Sequence, residues 1–222
     1  MFFIKFNGLI LDKRKIKESD ALIYILTEKY GIQKCFLKSA FKHTSKNLGL
    51  SEIGNINKFY VLVKNQFLRI ISMINIKIPN QYYAAYSYEY LWALKLIKKI
   101  NLLETPTNLW FILINLENYI YQSPKTFKYW FIFHLMKEIG YEIELRKCYQ
   151  CNRKLTKFAF FDNKQSIFCG FCAKNNYQKI SNNILNSAFA INNIKTSQIK
   201  TIPDFLKKMI KNRFKEINKD IF

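Results

Sequence analysis

Ala21-Leu22-Ile23-Tyr24-Ile25-Leu26 is followed by Tyr30-Gly31 and then by Ile32-Gln33-Lys34-Cys35-Phe36-Leu37. The first run is apolar and β-branched, and it stops well short of a helix. The Tyr-Gly pair supplies a turn, and the second run is again strand-like. Residues 2–11, upstream, are equally β-rich. Downstream, residues 59–63 and 67–74 flank Lys64-Asn65-Gln66, the pattern of a hairpin. Five short strands in about 75 residues fit a small closed β-barrel such as the OB-fold. Residues 39–57 hold Lys42, His43, Lys46, Gly49 and Gly54 and read as a basic loop between the third and fourth strands.

Helices follow. Pro79-Asn80 marks the change, and residues 82–100 are predicted helical. Thr105-Pro106 and Ser123-Pro124 each fit an N-cap followed by proline at the first helical position, where a missing N–H costs nothing. The second of these helices is expected to run to Ile139, with Gly140 as its stop. Residues 203–219 form an amphipathic pattern. Leu206, Met209, Ile210 and Ile217 share one side, with Phe214 at its edge, and Lys208, Lys211, Lys215 and Lys219 lie opposite. His134 falls on an apolar helix face and reads as a core residue, whereas His43 sits in the basic loop. Cys35, alone inside a strand, reads as a small buried apolar residue.

The chain has 222 residues, half of them apolar, and no apolar run near the roughly 18 residues that span a bilayer. The first residues lack a basic region and a cleavage site, so no signal peptide is expected. The expected compartment is the cytoplasm, in association with the nucleoid. Formal net charge is +21. Richness in Lys, Asn, Ile, Tyr and Phe suits an AT-rich genome, which adds solvated lysines everywhere. The charge is nevertheless uneven. Residues 1–78 carry 14 basic against 5 acidic residues and residues 79–147 carry 8 against 6. A bias confined to some segments points to polyanion contact.

Cys148-x2-Cys151 and Cys169-x2-Cys172 are separated by 17 residues. Each pair can place two thiolates on one tight turn, and the spacing suits a tetrahedral four-thiolate zinc site. Residues 157–161 and 166–168 would form a hairpin, turning at 162–164, that brings the pairs together. Gly170 would let the second turn close. Such a site is closed to water and substrate, so it reads as structural. Iron, two disulfides, or a dithiol redox pair are the alternatives. The expected fold is α+β: an N-terminal five-stranded OB-fold barrel, then an α-helical domain with an inserted four-cysteine zinc module. The expected division is 1–78, 79–147, 148–178 and 179–222, with the last segment packed on the helical domain.

Further motifs occur in order: Gly8-Leu9-Ile10-Leu11, Glu18-Ser19-Asp20, Leu26-Thr27-Glu28, Tyr30-Gly31, Lys38, Lys42, Tyr83-Ala84-Ala85-Tyr86, Ile139-Gly140-Tyr141, and then the cysteine pairs. This series resembles the RecO family of bacterial recombination mediators over nearly the whole chain. The family carries glycine in the stretch after the third strand, where this chain has Lys38-Ser39-Ala40-Phe41-Lys42. The resemblance implies a non-enzymatic DNA repair protein. Such a protein binds single- and double-stranded DNA and anneals complementary strands. It engages the tail of the single-stranded DNA-binding protein SSB, associates with RecR and helps load RecA.

Expected DNA contacts are Lys13, Arg14, Lys15, Lys34, Lys38, Lys42, Lys46 and Arg69. Expected flanks of a groove for the SSB tail are Lys95, Lys98, Lys99, Lys125 and Lys128. The rival readings are an enzyme, an RNA-binding or ribosome-associated OB-fold and zinc-ribbon protein, and a zinc-ribbon transcription accessory factor. Among six glycines there is no nucleotide-binding loop, and no His-Glu-x-x-His motif occurs.

Overall fold

A computed structural model describes residues 1–79, 87–155, 158–162, 166–189, 191 and 201–221. The expected helical residues 82–86, the strand start at Lys157 and the turn residues Asn163 and Lys164 lie outside them, as does the side chain of Lys219. The chain divides into two compact units, Met1–Glu117 and Asn118–Phe222. The first unit holds the barrel segment and the helices that follow it, as far as Glu117.

In the first unit, β1 (Phe2–Lys15), β2 (Ala21–Thr27), β3 (Ile32–Leu37), β4 (Ile56–Lys64) and β5 (Phe67–Lys77) close into a barrel in the order β1-β2-β3-β5-β4. β1 is longer than its apolar run. Its first half pairs with β4 and its second half with β2, so Lys13, Arg14 and Lys15 are strand residues rather than loop residues. β3 and β5 meet in parallel at Phe36 and Arg69. Alternation fills the interior with Ala21, Ile23, Ile25, Cys35, Leu37, Phe59 and Val61, among others. The β4–β5 hairpin turns where expected. Asn65 and Gln66 both have positive φ (46° and 64°), the twist a two-residue hairpin requires.

Gly31 is demanded twice over. Its φ is +61°, and a Cβ there would lie 2.2 Å from the Leu102 carbonyl oxygen. Without that Cβ, the Ile32 N–H donates to Leu102 O at 2.9 Å, and Gly31 O accepts the Thr27 N–H at 2.9 Å.

Residues 39–55 are not a plain loop. They contain a short helix, α1 (Asn47–Leu50), and their backbone acceptors are taken up by asparagines. Asn55 Nδ2 donates to Gly49 O at 2.8 Å, and Asn57 Nδ2 donates to Leu50 O at 2.7 Å.

Helices α2 (Ser87–Ile100) and α3 (Thr107–Ile114) complete the unit. α3 starts one residue later than expected, with Pro106 at the N-cap position. The Thr105 hydroxyl is engaged elsewhere, donating to Thr27 O at 2.7 Å and tying the helix approach to the barrel.

α4 (Leu116–Gln122) spans the division between the units. In the second unit, α5 (Phe127–Glu138) begins three residues beyond Pro124, because Ser123 O accepts the Thr126 and Phe127 N–H groups in a preceding turn. It ends as expected. Gly140 has φ 88°, Tyr141 N–H donates to Met136 O, and Gly140 N–H donates to Lys137 O, the two bonds of a Schellman turn. Trp130, Phe131, Phe133 and Leu135 are buried, and so is His134, whose Nε2 lies 2.9 Å from Ile191 O. β6 (Ala159–Phe161), β7 (Ile167–Phe168) and β8 (Gln178–Ile180) form a small sheet in the order β7-β6-β8. The third strand and α6 (Asn182–Phe189) were not expected. α7 (Asp204–Ile221) packs against α5. It buries Leu206, Met209, Ile210 and Ile217, and exposes Lys208, Lys211 and Lys215.

Among the described residues no helix is long and apolar enough to cross a membrane.

Candidate nucleic-acid interface and metal centre

On the barrel, the alternation that sends Ile23, Ile25 and Cys35 inward sends their neighbours out. Strand register aligns these into rows. Asp12 faces Tyr24, and Tyr24 faces Lys34. Arg14 faces Leu22, Leu22 faces Phe36, and Phe36 faces Arg69. Phe67 joins the second row, its ring centroid 5.8 Å from that of Phe36. The result is an outer face of three aromatic rings interleaved with Arg14, Lys34 and Arg69, all three cations exposed. Around Tyr24 lie the Lys98 ammonium at 4.5 Å, the Arg14 guanidinium at 5.1 Å and the Lys34 ammonium at 5.8 Å from the ring centroid. Tyr24, Phe36 and Phe67 were missed among the expected contacts, although the parity of the strand carrying Tyr24 could have marked it.

Asp12 is the one carboxylate among these rows. Burial works to raise its carboxyl, but bonds from Lys98 and Arg14 and the charge of Lys98 outweigh that and hold it below the usual carboxylate range. Arg14 Nε donates to Asp12 at 3.1 Å, while its side chain stays 60% exposed.

The other expected contacts separate into groups. Lys13 is turned away from solvent. Its side chain is 6% exposed, pairs with Glu52 at 3.0 Å and lies 4.5 Å over the Phe41 ring. Lys15 is exposed at the end of β1. Lys38, Lys42 and Lys46 are exposed on the segment before α1, and the Glu18-Ser19-Asp20 signature anchors that segment. Asp20 Oδ1 accepts the Ser39 N–H at 2.8 Å, and Ser19 O accepts the Phe41 N–H at 2.9 Å. Ser39 has φ 56°, so a serine here adopts the left-handed conformation that glycine takes more readily.

Lys95, Lys98 and Lys99 do come together. With Leu11, Asp12, Arg14, Ile53 and Leu91 they line a groove of about 500 Å³ between β1 and α2. Its lining combines three apolar side chains with four cations and one carboxylate, Asp12, to which Lys98 is paired. Lys125 and Lys128 belong to the second unit.

In the second unit, the Sγ atoms of Cys148, Cys151, Cys169 and Cys172 all lie within 4.8 Å of one another. The Cys151 and Cys169 sulfurs are 3.7 Å apart. A tetrahedron with metal–sulfur arms of about 2.3 Å has edges of about 3.8 Å, so the four residues fit a thiolate-bound metal ion. A disulfide would need about 2.05 Å, and all four cysteines are free. The β6–β7 hairpin joins the pairs as expected, with Phe160 facing Phe168 and Phe161 facing Ile167. A bridge between Lys147 and Lys154 closes the first knuckle.

Burial alone would raise the Cys148 thiol. Backbone hydrogen bonds from Cys169, Cys151 and Gln150 outweigh it and bring the thiol down to about 6. Burial and then the three neighbouring sulfurs push Cys172 up to about 12. Thiolates this close resist joint ionisation unless a cation sits among them. Cys35, by contrast, is fully buried in the barrel, and burial raises its thiol to about 12.

Residues 1–77 match the family model described as "Recombination protein O N terminal", and residues 111–207 match "Recombination protein O C terminal". The chain belongs to the RecO family. It is also similar to the "DNA repair protein RecO" of Mesoplasma florum, at 26% identity over 186 residues, covering 79% of this chain and 69% of the relative. RecO membership accounts for the order of the modules and places the chain among DNA repair and recombination proteins. The barrel face lies inside the first matched segment and the cysteine cluster inside the second.

Proposed function

We propose that this RecO-family chain is a non-catalytic mediator of recombinational repair that binds single- and double-stranded DNA and anneals complementary strands. The observation that carries the proposal is the outer barrel face, where Tyr24, Phe36 and Phe67 alternate with Arg14, Lys34 and Arg69. The β1-β2-β3-β5-β4 closure is that of an OB-fold, which presents this face to oligonucleotides. Bases stack on the rings, and the cations follow the phosphates. Annealing brings two polyanions together, and a chain of net charge +21 screens their repulsion. Lys38, Lys42 and Lys46, on a segment pinned by Asp20, extend the basic surface beside the strands.

The groove of Lys95, Lys98 and Lys99 over Leu11, Ile53 and Leu91 suits an acidic peptide with an apolar end. We assign it to the SSB tail, through which the protein reaches SSB-coated gaps and, with RecR, helps load RecA. In the second unit Cys148, Cys151, Cys169 and Cys172 hold a structural zinc ion. When bound, zinc supplies the positive charge that lets four thiolates coexist and so braces the module.

The test is a strand-annealing assay with SSB-coated complementary oligonucleotides. Annealing accelerated by the protein, and lost when Tyr24 and Phe36 are replaced by leucine, supports the proposal. No acceleration, or tighter binding to RNA than to single-stranded DNA of equal length, refutes it.

A further inference from the structure

The cysteine module presents two exposed rings, Phe158 and Phe171. Phe171 lies inside the second knuckle, between Gly170 and Cys172, and is 87% exposed. Phe158, just before β6, is 40% exposed. The two share one rim of the module. A Cβ on Gly170 would come within 3.0 Å of the Phe158 ring, so the glycine lets Phe158 lie against the knuckle that presents Phe171. Each ring has a cation beside it. The Arg153 guanidinium is 5.3 Å from the Phe171 centroid, and the Lys179 ammonium is 4.8 Å from the Phe158 centroid. Lys179 reaches Phe158 because β8 pairs beside β6, with Phe160 facing Lys179.

The charge on this rim is of one sign. Between Leu145 and Pro203 the sequence holds a single acidic residue, Asp162. Asp162 is buried, and its carboxylate accepts the Ser166 N–H at 2.7 Å. A third exposed ring, Tyr149, lines a pocket of mixed charge with Glu142, Glu144, Lys147, Arg213 and Glu216.

We infer that this rim of the cysteine module is a second binding site for single-stranded nucleic acid, separate from the barrel face. Bases stack on Phe171 and Phe158, and Arg153 and Lys179 meet the phosphates. Exposed apolar rings on a knuckle also serve as contacts for protein partners, but a surface with cations at both rings and no exposed carboxylate on its segment matches a polyanion. The cysteine cluster positions Phe171 and takes no part in binding. This site deepens the function proposed above and rests on the chain being a DNA-binding protein.

The test uses the full chain and a fluorescein-labelled 30-mer of thymidylate, read by anisotropy. Phe158→Leu and Phe171→Leu keep an apolar side chain but remove the stacking face. Metal content and circular dichroism establish that each variant is folded. Each substitution is expected to weaken binding about fivefold or more, the low end for one stacked base. Photocrosslinks from 4-thiothymidine should map to the peptides carrying Phe158 and Phe171. Unchanged affinity in the double variant, alongside weakened binding in a Tyr24→Leu barrel variant, overturns the second site and leaves the barrel reading intact. Unchanged affinity in both discards the two together.

Discussion

Replacing Arg14, Lys34 and Arg69 together by glutamine should flatten the salt dependence of single-stranded DNA binding by a calculable amount. All three side chains are exposed on the outer barrel face. Each phosphate neutralised on a single strand contributes about 0.7 to the log–log slope. Three contacts give a loss of slope of about 2.1, and two give about 1.4 if Arg14 is largely neutralised by Asp12. Between 50 and 200 mM salt the parent protein should then weaken about 7- to 20-fold more than the variant. The assay is fluorescence anisotropy with a labelled 30-mer across that salt range. Parallel lines for parent and variant would refute the assignment, because they would mean that none of the three releases counterions.

Other expectations follow from the two units. Stripping the metal with a strong chelator, or replacing Cys148 by serine, should lower the melting temperature by about 10 °C or more, since structural thiolate sites contribute several kcal/mol of folding energy; calorimetry with and without chelator checks this. Gly31→Val should destabilise the chain by about 2 kcal/mol or more, because a Cβ would meet Leu102 O at 2.2 Å on a backbone of φ +61°, read as a lower denaturant midpoint. The folded Asp12 carboxyl titrates below its ordinary value, held there by Lys98 and Arg14 against its partial burial. Its contribution is therefore complete above the unfolded value near pH 4 and is lost as pH falls through the lowered folded value. Asp12→Asn should remove that part of the acid destabilisation, a change of under about 1 kcal/mol for a pair this near solvent, measured by urea titration between pH 5 and 2.

Much of this was legible from local pattern. Ile32–Leu37 was bounded correctly because a glycine turn and a run of β-formers mark both ends. The C-terminal stripe was correct because 3.6-residue spacing alone decides which side of α7 is buried. The cysteine cluster was legible because two x2 spacings force two thiolates onto each turn. What escaped was decided by partners distant in sequence. Thr105 reads as a cap, but its hydroxyl bonds to Thr27 O across 78 residues. Lys13 reads as a free cation in a basic run, yet register turns it toward Glu52 and Phe41. The basic segment at 39–55 looked unstructured because the groups that order it are Asn55 and Asn57, side chains bonding back to carbonyls five to seven residues earlier. The rings of the barrel face were overlooked for a related reason. A single tyrosine or phenylalanine in a strand says little until pairing sets Tyr24 beside Lys34 and Phe36 beside Arg69.

The most direct measurement is the affinity of the full chain for a 30-mer of thymidylate after Tyr24 and Phe36 are each replaced by leucine, with folding verified by circular dichroism. Each loss of stacking should weaken binding about fivefold or more, and the pair multiplicatively. A folded double variant that binds as tightly as the parent would contradict the account at its root.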